Sequence, residues 1–170
     1  MAAWRSKGRP AVSTHGRSGL ELYAMEDLRK REVLFDYEAF KIPWIEPPKE
    51  AVHHTYKIDF VLRNGIGIET KGRFSFEDQC KMLLVIEQHP DADVRMIFDN
   101  PKGGVMGKGG GTRKLTNAEW CDQHGVKWAA APTKAKRAKF APLVPQEWID
   151  EPLNASSLQA FEAFRIETKH

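Results

Sequence analysis

Apolar residues first fall into a regular pattern near residue 18. Leu20, Ala24 and Leu28 recur every four positions behind Ser18-Gly19-Leu20-Glu21, which has the spacing of a capping box, and this predicts a helix from Ser18 to about Glu32. From Val33 to Phe40 the period changes to two: Val33, Phe35, Tyr37 and Ala39 alternate with polar positions, as in a half-buried strand. Ile42 to Val52 contains Pro43, Pro47 and Pro48, which hold a chain extended and exclude helix, so this stretch is expected to travel rather than turn. Tyr56 to Lys71 reads as a hairpin around Arg63-Asn64-Gly65. Ser75 caps a second helix through Gln88, with Phe76, Gln79, Cys80, Leu83, Leu84 and Ile86 as its apolar side and Pro90 as its stop. Val94 to Phe98 is a nearly continuous apolar run suited to a central strand. Asn100 to Gly111 holds six glycines and is expected to be mobile. Thr116-Asn117-Ala118-Glu119 is another capping box, Gly125 closes that helix, and Val126 to Ala129 is a candidate last strand. A basic insertion spans Ala130 to Ala141; beyond it, Trp148-Ile149 and Leu158–Phe164 are expected to dock as short helical pieces. This order of elements suggests an α/β fold, a mixed sheet flanked by helices.

Charge changes the picture more than composition does. The chain has 170 residues and a net charge of +3, enough for one domain. Residues 1–20 carry Arg5, Lys7, Arg9 and Arg17 with no acid, residues 21–100 carry a net −5, residues 101–141 a net +7 and residues 142–170 a net −3. Basic blocks mixed with glycine and proline are what a polyanion-binding arm or loop looks like, so Arg5, Lys7, Arg9, Arg17, Lys102, Lys108, Arg113 and Lys114 are candidate nucleic-acid contacts. Residues 1–17 read as a disordered arm with no apolar core of the kind a signal peptide needs, and no run is long enough to span a membrane. Two cysteines, Cys80 and Cys121, are too few for a disulfide scaffold. Gly107-Lys108 is not a nucleotide loop: the Walker spacing requires glycine at 102 and Ser or Thr at 109, where this chain has Lys102 and Gly109.

Candidate chemistry lies in the 56–71 hairpin. Glu69 and Lys71 are two apart and share a face. A two-residue Asn64-Gly65 turn would send Asp59 to the opposite face, whereas a three-residue turn with Gly65 in the left-handed position sets Asp59 directly opposite Glu69. Glycine at 65 permits the second arrangement without excluding the first; the three-residue turn is the one expected. Two opposed carboxylates among apolar Phe60, Ile66 and Ile68 repel unless a cation lies between them, and all-oxygen ligands suit Mg²⁺ or Mn²⁺. Lys71 would then orient or deprotonate water, or stabilise charge on a phosphate. The alternative is a solvent-facing hairpin with an Asp59–Lys71 salt bridge. Glu21 lies on the core-facing side of the first helix; it is either a fourth member of the cluster or only the acid of the Ser18 capping box.

Ordered strings along most of the chain give a resemblance. Arg17-Ser18-Gly19-Leu20-Glu21, Phe35 with Tyr37-Glu38, His54-Thr55-Tyr56, Asp59-Phe60, Asn64-Gly65-Ile66, Glu69-Thr70-Lys71-Gly72, Glu87-Gln88-His89-Pro90, His124-Gly125-Val126-Lys127, Glu147-Trp148-Ile149 and Glu151-Pro152 appear in family order over roughly Lys7 to Pro152. In these the chain resembles bacteriophage endonuclease I, the Holliday-junction resolvase of T-odd podophages. The resemblance implies a restriction-endonuclease-like fold, a nuclease domain over 18–152 with a C-terminal tail at 153–170, and Mg²⁺-dependent hydrolysis of branched DNA in the cytoplasm of a host bacterium. It carries the active-site positions onto Glu21, Asp59, Glu69 and Lys71, with Asp59, Glu69 and the Thr70 carbonyl as metal ligands and Glu21 completing the acidic cluster. It also implies a domain-swapped homodimer in which residues 42–52 bridge the subunits. Departures are Ile58, where the family usually has proline, and the size of the 103–111 loop and of the 130–141 insertion. A nuclease of the same fold acting on unbranched DNA, and a non-catalytic DNA-binding protein, are the competing expectations.

Overall fold

The computed structural model describes residues 18–46 and 52–165. The basic arm at 1–17, with Arg5, Lys7, Arg9 and Arg17, lies outside the described residues, as do the centre of the 42–52 stretch and the last five residues.

The chain starts with helix α1 (Gly19–Lys30), whose capping box closes as the sequence predicts: Ser18 Oγ accepts from the Glu21 amide and the Glu21 carboxylate accepts from the Ser18 amide. Strand β1 (Phe35–Tyr37) is shorter than the expected 33–40, because Glu38 turns to φ +46° and leaves the extended region. Strands β2 (Lys41–Glu46) and β3 (Val52–Lys57) pair antiparallel within the one chain, Lys41 opposite Lys57 and Glu46 opposite Val52. The described part of the proline-rich stretch, residues 42–46 and 52, is extended, and it pairs as a hairpin with the next segment of the chain. The chain then changes sheets at Ile58-Asp59, so the single strand expected at the start of the 56–71 hairpin is broken into β3 and β4 (Phe60–Leu62).

Strand β5 (Ile66–Lys71) pairs with β4 through Phe60–Ile68 and Val61–Gly67, which is the register of the three-residue turn. Gly65 supplies the left-handed residue at φ +86°, and its amide donates to the Leu62 carbonyl. Helix α2 (Phe76–Gln88) follows its Ser75 capping box; its fully buried residues are Gln79, which the expected side includes, and Met82 and Val85, which it does not, while Leu83, Leu84 and Ile86 pack partly buried against the core. Gln79 is tolerated there because its amide donates to the carbonyls of Phe74, Ser75 and Met106. Strand β6 (Asp93–Phe98) is central, parallel to β5 on one side and to β9 (Trp128–Ala130) on the other. The glycine-rich segment, expected as a mobile loop, is a third hairpin: β7 (Gly104–Met106) pairs with β8 (Thr112–Thr116), and buried Val105 anchors it. Helices α3 (Asn117–Gln123), α4 (Lys134–Arg137), α5 (Gln146–Asp150) and α6 (Ala155–Glu162) complete the chain.

The main sheet has the order β1-β4-β5-β6-β9 and is mixed. Alternation along its strands divides the core. Phe60, Leu62, Ile66, Ile68 and Ile97 face α1 and the 143–148 segment. Val61, Met96 and Phe98 face the opposite side, where α2, α3, the β2–β3 hairpin and Phe161 of α6 pack. The C-terminal segment docks tightly: Ser157 Oγ donates to the Gly65 carbonyl and accepts from the Asp93 amide. Arg95, almost completely buried on β6, is paired with Asp93 and Glu151, each at 2.6 Å. No helix among the described residues is long and apolar enough to cross a membrane.

Candidate active site

The register of β4 and β5, continued one residue, sets Asp59 opposite Glu69. Asp59 sits in the bend before β4, and its Oδ2 accepts from both the amide (2.8 Å) and the hydroxyl (2.9 Å) of Thr70. Glu69 is buried on β5; one carboxylate oxygen takes the Lys71 ammonium at 2.8 Å, and the other, Oε2, is buried with no hydrogen-bond partner. Lys71 also reaches Asp78, at 3.6 Å, in the first turn of α2. The ion pair is thus with Glu69 and Asp78, not with Asp59.

Burial dominates the electrostatics of this group. The Asp59 carboxyl is pushed up to about 8, by desolvation first, then by the charge of Glu69 and more weakly by that of Glu21, against the opposing Thr70 hydrogen bonds. Glu69 is also raised by burial, although the Lys71 ammonium pulls it down. Lys71 shows the reverse balance: burial favours its neutral form, but Glu69, Asp78 and Asp59 together outweigh this and hold it protonated.

The sequence does not single out Tyr56. It is carried in by β3, and its buried hydroxyl lies beside Glu69, strongly coupled to it without closing a hydrogen bond of ordinary geometry; its own ionisation is pushed far up by burial and then by Glu69. Tyr37 escapes sequence reasoning too: its hydroxyl donates to Glu21 Oε2 at 2.8 Å, and its ring packs on Phe60 at 5.1 Å. An alternating strand gives no sign that one of its tyrosines reaches a helix sixteen residues earlier.

Glu21 stands apart from the other three. Its Oε1 serves the capping box and its Oε2 accepts from Tyr37, so both readings of its role have a structural counterpart. Glu69 and Lys71 alternate with Ile66 and Ile68, which face α1, so they project from the other side of β5 and Glu21 meets the group only from the end of the sheet. Among the described residues no three His, Cys, Asp or Glu side chains stand close enough to hold a metal ion by themselves. Asp59 and Glu69 nonetheless fit a divalent cation. One of their oxygens is buried and unpartnered, both are hard oxygen donors, and the Glu69 charge raises the cost of ionising Asp59. Thr70, expected through its carbonyl, is seen here to fix Asp59 by its amide and hydroxyl. Of the expected DNA contacts, Lys102, Lys108, Arg113 and Lys114 are exposed on and before the β7–β8 hairpin, with the Arg113 guanidinium 5.7 Å from the Phe76 ring centre.

Comparison with known proteins bears directly on this geometry. The family model described as phage endonuclease I matches residues 1–168. Endonuclease I of Escherichia phage T7 is 38% identical over 152 residues, covering 89% of either chain. Endodeoxyribonuclease 1 of Enterobacteria phage T3 is 41% identical over 113 residues, covering 66% of this chain and 70% of the relative.

Proposed function

The chain belongs to the phage endonuclease I family, and from that premise we propose that it is a Mg²⁺-dependent, structure-selective endodeoxyribonuclease that resolves four-way junctions and other branched DNA. The observation that carries the reading is the pair Asp59 and Glu69, opposed across β4 and β5, with Lys71 at 2.8 Å from one of them and a buried carboxylate oxygen left unpartnered. Mixed strand order with the acids at the end of the central strands supports a restriction-endonuclease-like fold.

Asp59 and Glu69 would hold the metal, with the carbonyl of Thr70, the residue after Glu69, as a further ligand and the Glu21 carboxylate adding charge from the first turn of α1. When bound, Mg²⁺ supplies positive charge that stabilises the attacking and leaving oxygens of an in-line displacement. Thr70 fixes the rotamer of Asp59 with two hydrogen bonds. Glu69 and Asp78 aim the Lys71 side chain, which is placed to orient or deprotonate the attacking water or to stabilise charge on the phosphate.

Two bonds in opposing strands require two sites, which a twofold dimer provides. Glu21 precedes the β2–β3 hairpin and Asp59, Glu69 and Lys71 come after it, so opening that hairpin and re-pairing the same register between two chains would build each site from both subunits. Cleavage of a synthetic four-way junction and of its separate linear arms, with and without Mg²⁺, tests the proposal. Symmetric, Mg²⁺-dependent cuts in the junction are expected. Equal cutting of the arms would make this a nuclease of unbranched DNA, and junction binding without nicking would make it a non-catalytic binder.

A further inference from the structure

Three parallel strands, β5, β6 and β9, end at one edge of the sheet, and the connections leaving them gather there. Gly72 comes directly after β5 and Asp99 directly after β6, its amide donating to the Lys71 carbonyl at 3.0 Å; the Ala131 amide after β9 donates to the Phe98 carbonyl at 2.8 Å. From that point the insertion Thr133 to Ala141 carries Lys134, Lys136, Arg137 and Lys139 and no acid. It is fastened to α1. The Tyr23 hydroxyl donates to the Ala141 carbonyl at 2.5 Å, the Lys30 ammonium lies 3.2 Å from the Phe140 ring centre, and Arg137 neutralises Asp99 in an ion pair. Lys134, Lys136 and Lys139 are exposed, and their ammonium groups make no ion pair with a described residue.

Between α1 and this insertion opens a cavity of about 430 Å³ lined in part by Leu20, Gly72, Asp99, Lys134 and Arg137. Leu20 is the residue before Glu21 and Gly72 the residue after Lys71, so chain neighbours of the acid cluster line this cavity at the carboxyl edge of β5. A Cβ added at Gly19 or Gly72 would meet nothing within 4 Å, which leaves the backbone there open to an approaching ligand.

We propose that the 133–141 insertion is a phosphate-gripping wall that seats a stretch of DNA backbone beside the bond to be cut. The proposal rests on the nuclease reading of the neighbouring acids. An acidic polypeptide would satisfy the same lysines, but nothing in a polypeptide calls for a place beside the buried Asp59–Glu69 pair; a phosphodiester backbone extending from a cleavage site does. Each lysine that contacts a phosphate releases a condensed counterion, so the wall has a signature in salt dependence.

The test uses Asp59→Asn protein, so that binding is read without cleavage, and compares it with the same protein carrying Lys134→Ala, Lys136→Ala and Lys139→Ala. Fluorescence anisotropy with a labelled four-way junction and with a linear duplex is recorded from about 50 to about 200 mM salt, the range over which phosphate contacts dominate the change in affinity. The triple variant is expected to show a log–log salt slope shallower by about 2–3 and to bind at least about tenfold more weakly, with unchanged melting because all three side chains are exposed. The corresponding triple change to Glu is expected to weaken binding further. An unchanged slope and affinity would overturn the wall while leaving the nuclease reading intact. A parent that holds linear duplex as tightly as the junction would refute branch selectivity alone, and the wall would still stand if the slope changed. A parent that binds no DNA would remove both.

Discussion

Replacing Asp59 by Asn is expected to stabilise the metal-free protein while abolishing cleavage. In the fold the Asp59 carboxyl is pushed up to about 8 from an ordinary 3.8. At pH 7 it is therefore mostly protonated when folded and ionised when unfolded, which costs about 4 kcal/mol at 1.36 kcal/mol per pH unit above the ordinary value. Asn carries no such penalty and still offers one oxygen to the Thr70 amide and hydroxyl. Counting about 2 kcal/mol for burying the amide, the net gain is about 2 kcal/mol, or roughly 4–8 °C in Tm for a domain of this size. The sign with pH comes from the folded value lying above the unfolded one. Below about pH 4 both states are protonated and the group is neutral in the balance; from about 4 to 8 the wild type loses stability progressively; above 8 the deficit is constant. The difference between wild type and Asp59→Asn should thus be small at pH 4, widen toward pH 8 and then level off. Thermal melting of both proteins in a chelator across that range measures it, and adding Mg²⁺ should raise the Tm of the wild type but not of the variant. A variant that melts below wild type at pH 7 in chelator, or a difference flat with pH, would refute the idea that Asp59 is an acid held against its own ionisation.

Tyr37→Phe removes the donor to Glu21 Oε2 and should cut kcat about tenfold, the scale of one lost hydrogen bond to a charged group, while leaving the junction Kd unchanged. Arg95→Ala strands Asp93 and Glu151 beside a buried void and should cost about 3 kcal/mol in a urea titration; Arg95→Lys should recover only part, because an ammonium cannot reproduce the forked pairing. Gly67→Ala would bring a Cβ to 2.5 Å from Cζ of the buried Phe161 ring and should cost about 1–3 kcal/mol, partly restored by adding Phe161→Leu.

What the sequence reveals here is mainly what is local. The two predicted capping boxes close at Ser18 and Thr116, and Ser75 caps α2 as expected, since the partners lie three positions apart. Gly65 makes the turn register, and hence the Asp59–Glu69 opposition, readable from a single residue type. The misreadings are of longer range. Met82 and Val85 join Gln79 on the fully buried face of α2, a choice made by tertiary packing, in which Met106, twenty-seven residues on, supplies a carbonyl for Gln79. Glycine density at 103–111 signals a flexible loop when the segment is viewed alone, yet Val105 finds a place in the core and closes a hairpin. Arg95 in an otherwise apolar strand gives no hint of its partner at 151. Tyr37 and Tyr56 are invisible as site neighbours for the same reason: strand alternation says which face a side chain takes, not what waits there.

The same topology explains why chemistry and the basic insertion share an edge. In a sheet whose central strands run parallel, every connection leaving a carboxyl end emerges on one side, so residues placed there by β5, β6 and β9 meet even though they are about sixty residues apart at the extremes. Lengthening the connection after β9 is therefore a cheap way to alter the surroundings of the acids without touching the strands that hold them: the core contacts of Ile97 and Phe98 stay as they are, while Lys134 and Arg137 arrive beside Gly72. Length added to a turn at the opposite end of the sheet, such as Arg63-Asn64-Gly65, would have no such reach, and there the structure instead ties Asn64 to the carbonyls of Trp148 and Glu151 and buries Gly65 under α6. One end of the sheet is locked by packing; the other is left open to be fitted to a ligand.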